Sequence, residues 1–354
     1  MAAGGVEERK ALLIIVTFNS YELIGDLAAT IRQFLSDNQG NHAVVVENSA
    51  DQRVLDYLNA ELELERITVR VAQSNEGFSH GVNLGYRIAR ELWGGFDFIV
   101  LLNPDVISAG CTVAELVDRA ALNTEAGSGI WSVVLRNERG EIDGGCARRV
   151  WNLRRLFSHL LGFPPFARMM LTPPRNLTPD EIDNDQSDLA IVSGALMCVR
   201  ADVFEVGLDT HLPMYLEDQE LCDRCIRKGF AIRVFPDLEL IHVGGLSRKS
   251  NSSNQHALKI MDNVEAPAQY MSRLQEYRLG HIRPTVFFGG MSRLVLAPIV
   301  GAARSIRGRS SAREEVPWIS DQVKLGYWCM LWAVSGRFHD EQVSLDDYFT
   351  EYMP

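Results

Sequence analysis

The residues best suited to chemistry lie where an apolar run ends in Asn103-Pro104-Asp105. The preceding run, Phe98 to Leu102, is rich in Ile, Val and Leu and has no helical period, which predicts a strand buried on both faces. Open α/β sheets bind ligands beyond the carboxyl ends of their strands, so Asp105 is suited to hold a metal ion that bridges phosphate oxygens. The alternative is that Pro104 only turns the chain and Asp105 caps the next segment.

Three further features of the second half carry chemical potential. Glu217, Asp218 and Glu220 begin a helix-like segment, where they either complement the helix dipole or supply a catalytic carboxylate. His242 follows a strand-like run and is either an ordinary core or surface histidine or a metal ligand, because neutral imidazole suits Mn²⁺. Gly194 interrupts a strand-like run, so a ligand could pack there against bare backbone.

The first seventy residues predict the sheet that positions these groups. Apolar runs at Ala11–Val16, His42–Val46 and Ile67–Val71 alternate with segments of helical period. This β-α-β-α-β order favours an α/β fold with a parallel, right-handed, doubly wound sheet. The ends of these strands carry short polar side chains suited to hydrogen-bonding a base and a ribose: Thr17, Asn19, Glu47 and Asp51.

A glycine-containing segment, Asn75 to Gly85, follows the third predicted strand. Its glycines allow close approach of a ligand to the backbone. It is not a dinucleotide-binding fingerprint, because the glycine spacing differs and the segment does not follow the first strand.

Four motifs in a fixed order carry a family resemblance: Val16-Thr17-Phe18-Asn19, Val46-Glu47-Asn48-Ser49, Asn75-Glu76-Gly77-Phe78 with Asn83, and Asn103-Pro104-Asp105. Over about residues 11–250 the chain resembles family 2 of the inverting glycosyltransferases. It is most similar to their rhamnosyltransferase-like bacterial branch, which builds cell-surface polysaccharides. The resemblance implies a GT-A type fold, a Rossmann-like and mostly parallel sheet flanked by helices, here followed by a C-terminal helical appendage.

The resemblance also implies roles for the matching positions. Asp105 and His242 would hold a Mg²⁺ or Mn²⁺ ion on the donor diphosphate. Asp218 would be the general base, and Glu217 would orient the site or contact the acceptor. Donor contacts are implied for a larger set: Thr17, Phe18, Asn19, Glu47, Asn48, Asn75, Gly77, Asn83, Asn103, Asp105 and Gly194. Two positions depart from the usual family pattern, since Asn103 replaces the first acid of the DxD-like motif and Glu47 replaces an Asp.

The reaction expected from the resemblance moves L-rhamnose from dTDP-L-rhamnose to a hydroxyl of a lipid-linked or cell-surface glycan. Related members use UDP-hexose or UDP-HexNAc donors, so a UDP-sugar remains an alternative. A non-catalytic subunit that binds nucleotide sugars is a second alternative. A sugar nucleotidyltransferase is disfavoured, because it needs a glycine-rich, basic loop after the first strand and Thr17 to Tyr21 form no such loop.

Composition restricts the partners and the compartment. The net charge of −11 and the pI of about 5.3 argue against a nucleic-acid partner bound by a basic surface. Six scattered cysteines and the lack of a secretory signal at the start of the sequence favour the cytoplasm. Cys222 and Cys225 form a lone CxxC without a second pair, which favours a structural role.

Changes in composition divide the 354 residues into two predicted regions. Residues 1–265 form the catalytic domain, with a variable insertion at about 151–187, and residues 266–354 form a helical region. The apolar span 294–303 is predicted to be too short beyond Arg293 to cross a bilayer. This apolar span, followed by arginines at 304, 307, 309 and 313, favours either contact with the inner face of the cytoplasmic membrane or a helical appendage packed on the catalytic domain or on a homodimer partner.

Overall fold

The computed structural model describes residues 9–62, 65–108, 110–124, 127–143, 145–161, 176–187, 189–244, 261–275, 277–306 and 312–335. Parts of the predicted regions therefore lie outside the described residues. These are 162–175 of the insertion, Arg307 and Arg309, and the terminal segments 1–8 and 336–354.

A sheet of eight strands forms the centre of the described molecule. Its strands are β1 (Ala11–Thr17), β2 (Asn41–Glu47), β3 (Ile67–Val71), β4 (Phe98–Leu102), β5 (Val106–Ser108), β6 (Ser128–Arg136), β9 (Leu196–Arg200) and β10 (Ala231–His242). They are arranged in the order β3-β2-β1-β4-β9-β6-β10-β5. In this sheet β9 and β5 run antiparallel to their neighbours, and the other described pairs are parallel. A small antiparallel pair, β7 (Ala147–Arg148) with β8 (Ile191–Val192), lies beside it.

Helices connect the strands and cover the sheet. They are α1 (Ile24–Asp37), α2 (Gln52–Glu61), α3 (Phe78–Trp93), α4 (Val113–Leu122), α5 (Leu153–Leu160), α6 (Pro179–Asn184), α7 (Ala201–Phe204), α8 (Glu217–Arg227), α9 (Ala266–Leu274), α10 (Leu279–Ile306) and α11 (Ala312–Ser335). Several begin at side chains that accept a hydrogen bond from the first turn, including Asp51, Thr112 and Asn152. Thr178 and Glu181 form a reciprocal capping box, so the described end of the predicted insertion is helical.

Two clusters of buried apolar side chains stabilise the fold. The larger one surrounds the central sheet, and β4 contributes five consecutive buried residues, as the apolar run predicts. The second cluster joins Trp151 and Leu160 of the insertion to Leu216 and to the C-terminal residues Val286 and Trp332. The C-terminal helices are therefore packed against α5 and against the segment that leads into α8.

Helices α10 and α11 form an antiparallel pair, which we call the C-terminal hairpin. A Cβ atom on Gly290 would lie 2.6 Å from the Gly326 carbonyl oxygen, so glycine at both positions lets the two backbones approach closely. Arg293 is buried and donates to the carbonyl oxygens of Leu160 and His159 at 2.8 and 2.7 Å. It thereby pairs backbone acceptors that the last turn of α5 leaves free.

The continuous α10 corrects the prediction that the apolar span here is short. The helix continues through Arg293 and Pro298, and Arg293 is accommodated because it donates to carbonyl oxygens of α5. Leu279–Ala302 is the one described segment long and apolar enough to cross a membrane by length and composition, and only 33% of its most apolar window is buried.

Candidate functional site

The predicted site residues lie at one edge of the sheet. Strands β1, β2, β4 and β10 run in the same direction, so Thr17, Glu47, Asp105 and His242 lie at or just beyond carboxyl ends on that edge. This is the edge at which open α/β sheets bind ligands.

Backbone pairing brings Asp105 and His242 together. After Asp105 the chain turns into β5, which pairs antiparallel with the end of β10 so that Val106 lies opposite His242. The Val243 amide donates to the Asp105 carbonyl oxygen at 3.0 Å. As a result, Nε2 of His242 lies 3.3 Å from Oδ1 of Asp105.

Asp143 binds the other side of the same imidazole. Its Oδ2 lies 2.6 Å from Nδ1 of His242, so the histidine bridges two carboxylates. Burial disfavours the charged imidazole, but hydrogen bonds and charges from Asp105 and Asp143 outweigh burial and raise the pKa of His242 to about 9. At neutral pH this histidine is therefore an imidazolium.

The donor atoms of this cluster determine which metal ion it could hold. Among the described residues no group of three or more His, Cys, Asp or Glu side chains is arranged as a metal cage. Asp105 and His242 nevertheless supply one carboxylate and one imidazole, which suit a divalent ion that takes its remaining ligands from phosphates and water. Asp143 can fix the imidazole orientation through Nδ1, as outer carboxylates commonly do at metal-binding histidines.

Glu217 and Asp218 occupy the first turn of α8, where a sharp bend precedes the helix. Tyr215 and Leu216 have φ values of 68° and 65°, in the left-handed region that bulky residues rarely adopt. Leu216 is held there by packing in the second hydrophobic cluster. The bend directs both carboxyl groups inward, since each is buried.

Asp218 is surrounded by hydrogen-bond donors. Its carboxylate forms an ion pair with the partly buried Arg148 of β7 and accepts hydrogen bonds from the amides of Gly194, at 3.3 Å, and Gln219, at 2.7 Å. These contacts hold the carboxylate in one orientation. Because of these contacts, any further group that binds the Asp218 carboxylate must share it with Arg148.

Glu217 has a different environment from its neighbour. Its Oε2 is buried and makes no hydrogen bond to the described residues. Burial and the adjacent charge of Asp218 raise the pKa of Glu217 to about 8. Glu217 is therefore largely protonated at neutral pH and can donate a proton or a hydrogen bond.

Two glycine-containing turns connect the histidine cluster with the carboxylate pair. A Cβ atom on Gly145 would lie 3.5 Å from Ser193 Oγ and 3.7 Å from Asp143 Oδ2. A Cβ atom on the adjacent Gly194 would lie 3.4 Å from Asp218 Cβ and 3.6 Å from Glu217 Oε1. The Asp105–His242–Asp143 group and the Glu217–Asp218 pair thus form one cluster, connected through the neighbouring residues Gly145, Ser193 and Gly194.

The ends of β1 and β2 are joined through Glu47. This fully buried carboxylate accepts from the Thr17 and Ser49 hydroxyls and from the Ser49 amide at 2.6 Å. The Asn19 amide donates to Ser49 Oγ at 3.0 Å, and Phe18 precedes it in the same turn, half-buried. Glu47 therefore holds the two strand ends together, and its contact with a base stays a prediction.

The glycine-containing segment ahead of α3 is fixed by asparagines. Asn48 Nδ2 donates to the Gly77 carbonyl oxygen at 3.1 Å, and Asn75 Oδ1 accepts from the Gly77 amide at 3.2 Å. Gly77 has φ 97°, which favours glycine there. The Asn83 amide group both donates to and accepts from the Leu208 backbone at 2.8 and 2.7 Å, so it holds α3 against the 208 loop.

Asn103 contributes through its backbone. Its amide donates to the Ala195 carbonyl oxygen at 2.8 Å, and its carbonyl oxygen accepts from the Val106 amide at 3.2 Å. These bonds fix the turn that carries Asp105 next to the Gly194 turn.

Sequence reasoning missed two members of the cluster, Asp143 and Arg148. Asp143 lies in an Asp-Gly-Gly turn, a weak signal, and its partner His242 is 99 residues away. Arg148 belongs to a two-residue strand with no periodic pattern, and its partner Asp218 is 70 residues away. Both pairs depend on tertiary structure.

The fold is an α/β sheet covered by helices, and acids lie beside a histidine at the carboxyl ends of its strands. The chain belongs to the glycosyltransferase-like family 2, whose sequence model matches residues 9–261. A comparison with curated protein sequences gave no significant match.

Solved structures provide a second comparison. The mannosyltransferase PcManGT from Pyrobaculum calidifontis, in complex with GDP-Man and Mn²⁺, is similar with a TM-score of 0.50 and 15% identity, over 92% of this chain and 88% of that one. Residues 1–349 of S. aureus TarS in complex with UDP give a TM-score of 0.43 and 15% identity, over 94% and 93%. The likeness to the mannosyltransferase confirms the predicted GT-A type fold.

Proposed function

We propose that this family 2 glycosyltransferase inverts the anomeric centre of a nucleotide-activated sugar and transfers the sugar to an acceptor hydroxyl. The observation that carries the proposal is the continuous cluster that joins the Asp105–His242–Asp143 array to Glu217 and Asp218. The donor proposed from the sequence resemblance is dTDP-L-rhamnose. The acceptor proposed is a lipid-linked or growing surface glycan.

Asp105 and His242 are proposed to hold a Mg²⁺ or Mn²⁺ ion, with Asp143 orienting the imidazole. The ion would neutralise the negative charge that builds up on the departing diphosphate. The similar mannosyltransferase was solved with GDP-Man and Mn²⁺, which supports a divalent ion of this kind. Because the pKa of His242 is raised beside the two carboxylates, an ion held by Asp105 and His242 would displace the proton from Nε2, while Nδ1 would keep its proton toward Asp143.

The residues of the chain itself supply the remaining roles. Asp218 is proposed to accept the proton of the attacking hydroxyl, while Arg148 and the Gly194 amide hold its carboxylate in place. Glu217, protonated at neutral pH, would donate a hydrogen bond to the sugar or the acceptor. One attack without a covalent intermediate inverts the configuration, since the acceptor enters on the face opposite the diphosphate.

A thermal-shift panel tests this proposal. The chain is melted with dTDP, UDP and GDP sugars, each with and without Mn²⁺, because a ligand bound only by the folded state raises the melting temperature. We expect the largest rise with dTDP-L-rhamnose and Mn²⁺ together. A larger rise with a UDP-sugar would reassign the donor, and no rise with any nucleotide sugar would refute the proposal.

Donor hydrolysis separates an enzyme from a binding subunit. In the presence of Mn²⁺ and the donor that binds, the wild-type chain should release nucleoside diphosphate slowly into solution even without an acceptor. Binding without any release, with or without extracts containing glycan acceptors, would instead identify a non-catalytic nucleotide-sugar-binding subunit.

A further inference from the structure

The outer face of the C-terminal hairpin exposes a continuous apolar surface. Along α10 the exposed side chains Phe288, Met291, Val295 and Ile299 are 41–59% accessible and recur at intervals of three and four residues, which places them on one face. On α11 the exposed Tyr327, Leu331 and Val334 follow the same spacing. From Phe288 to Ala302, every exposed residue of α10 is apolar.

This apolar surface lies opposite the packed face of α10. Ile282, Val286, Arg293 and Ala297 point inward and are buried, and their helical positions differ by about half a turn from the exposed stripe. The single charged residue between Thr285 and Ala302 is therefore on the protein side of the helix. A helix that faces water on its outer side would carry polar residues there.

The charge of the sequence that forms α10 and the residues beside it favours one occupant of this surface. Residues 277–313 contain seven arginines and no aspartate or glutamate, within a chain of net charge −11. Of the described exposed residues on the hairpin, Asp321 is the only acid, and Lys324 lies three residues beyond it. The next acids along the sequence are Glu314 and Glu315, so a second copy of the chain would place two arginine-rich stretches of the same sign against each other. An anionic lipid surface supplies both the apolar layer and the negative charge.

The packing of α5 against α10 determines whether the C-terminal hairpin can cross a bilayer or can only lie on its surface. At the middle of α10, a Cβ on Gly289 would lie 2.5 Å from Leu160 Cβ, and Arg293 donates to the carbonyl oxygens of α5. A helix that carries another protein element along its inner side at mid-length cannot be surrounded by lipid. The hairpin can therefore enter a membrane only on its outer face.

We propose that the outer face of the C-terminal hairpin docks the protein on a bilayer that contains anionic lipid, with Phe288, Met291, Val295 and Ile299 entering the acyl boundary. The surface is distinct from the catalytic cluster, so the inference does not depend on the proposed reaction. Leu216, which precedes Glu217, packs in the same hydrophobic cluster as the hairpin. Docking would thus keep the catalytic edge close to lipid.

Flotation with vesicles tests the inference. The full chain is mixed with vesicles of phosphatidylcholine alone or with added phosphatidylglycerol, and the bound fraction is measured. We expect binding to the mixed vesicles and a partition coefficient lower by about tenfold or more for the triple variant F288S/V295S/I299S, which removes apolar contacts. The double variant R304Q/R313Q should lower binding to mixed vesicles by about tenfold as well.

A matched control uses apolar side chains exposed elsewhere. L92S/L122S/V206S changes three exposed residues of the catalytic domain, at 53–81% accessibility, and should bind vesicles as the wild type does. Circular dichroism melting of every variant checks that each one folds.

Three outcomes would overturn the inference. They are absence of wild-type binding to mixed vesicles, equal binding to both vesicle types, or unchanged binding of the F288S/V295S/I299S variant. If light scattering shows a wild-type dimer that this triple variant converts to a monomer, a second copy is the occupant and the lipid assignment is wrong.

Discussion

At the scale of single residues, the candidate site depends on how neighbouring charges change one another. His242 is charged because it lies between Asp105 and Asp143, and Glu217 is neutral because it is buried beside Asp218. Arg148 compensates Asp218 in turn. Neighbouring groups raise the pKa values of both His242 and Glu217, and such shifts clustered in one place are typical of functional sites.

Asp143 allows a direct test of the metal assignment. Replacing it, Asp143→Ala, removes the acceptor that orients Nδ1 of His242, and losses of this kind typically weaken metal binding by about 10- to 100-fold. Electron paramagnetic resonance of free Mn²⁺ measures the affinity in the presence of nucleoside diphosphate. Glu141→Ala, an exposed acid two residues away, is the control. Unchanged affinity in the Asp143 variant, or an equal loss in the Glu141 variant, would contradict the assignment.

Glu217 predicts how stability depends on pH. Its pKa of about 8 lies above the ordinary value of 4.5, so the folded chain keeps this proton after the unfolded chain has lost it. The free energy of unfolding therefore falls as the pH rises from about 4.5 to about 8. The Glu217→Gln variant has no carboxyl group to ionise, so its free energy of unfolding should not fall in this way. Its melting temperature should exceed that of the wild type by roughly 3–8 °C at pH above 8.

The comparison at low pH completes that test. Below pH 4.5 the two proteins should melt at similar temperatures, because the wild-type carboxyl is then protonated in both states. Glu205→Gln, at an exposed position, serves as the control and should follow the wild type throughout. Parallel curves for Glu217→Gln and the wild type would show that Glu217 is not buried as described.

At the scale of secondary-structure elements, close packing decides which parts of the chain form rigid units. The left-handed turn at Tyr215 and Leu216 directs the start of α8 into the site. In the C-terminal hairpin, Gly290 and Gly326 allow α10 and α11 to touch through their backbones. The buried Arg293 then joins the hairpin to α5.

Gly290→Ala tests the hairpin. The added Cβ would lie 2.6 Å from the Gly326 carbonyl oxygen and 2.7 Å from Cys329 Cβ, so the helices must separate. We expect a loss of about 1–3 kcal/mol in the free energy of unfolding, measured by urea denaturation. Gly280→Ala in the same helix meets no atom within 4 Å and should be neutral or stabilising by up to about 1 kcal/mol. Equal stability of both variants would contradict the described packing.

Elements with strong local patterns were predictable from the sequence, and elements that depend on distant partners were not. The apolar runs of β1, β2 and β4 form buried strands, and Gly194 interrupts its strand as expected. The length of α10 was missed because Arg293 interrupts its apolar span in the sequence. Its compensation comes from carbonyl groups more than 130 residues away.

At the scale of the whole molecule, two hydrophobic clusters position the two parts of the candidate site. The sheet cluster positions Asp105 and His242, and the second cluster positions the entry to α8 and hence Glu217 and Asp218. Sequence motifs predicted those residues of the candidate site that follow a strand or begin a helix. They did not predict Asp143 and Arg148, because the partners of both are defined only by the three-dimensional fold.

The central claim is that one cluster both binds the donor diphosphate and removes the acceptor proton. Turnover of the donor selected by thermal shift, measured with Mn²⁺ for Asp218→Asn and Asp105→Asn, tests this claim most directly. We expect Asp218→Asn to lose about two to four orders of magnitude in rate while keeping the Mn²⁺-dependent rise in melting temperature, and Asp105→Asn to lose that rise. Wild-type turnover in Asp218→Asn, or an unchanged Mn²⁺-dependent rise in Asp105→Asn, would contradict the account.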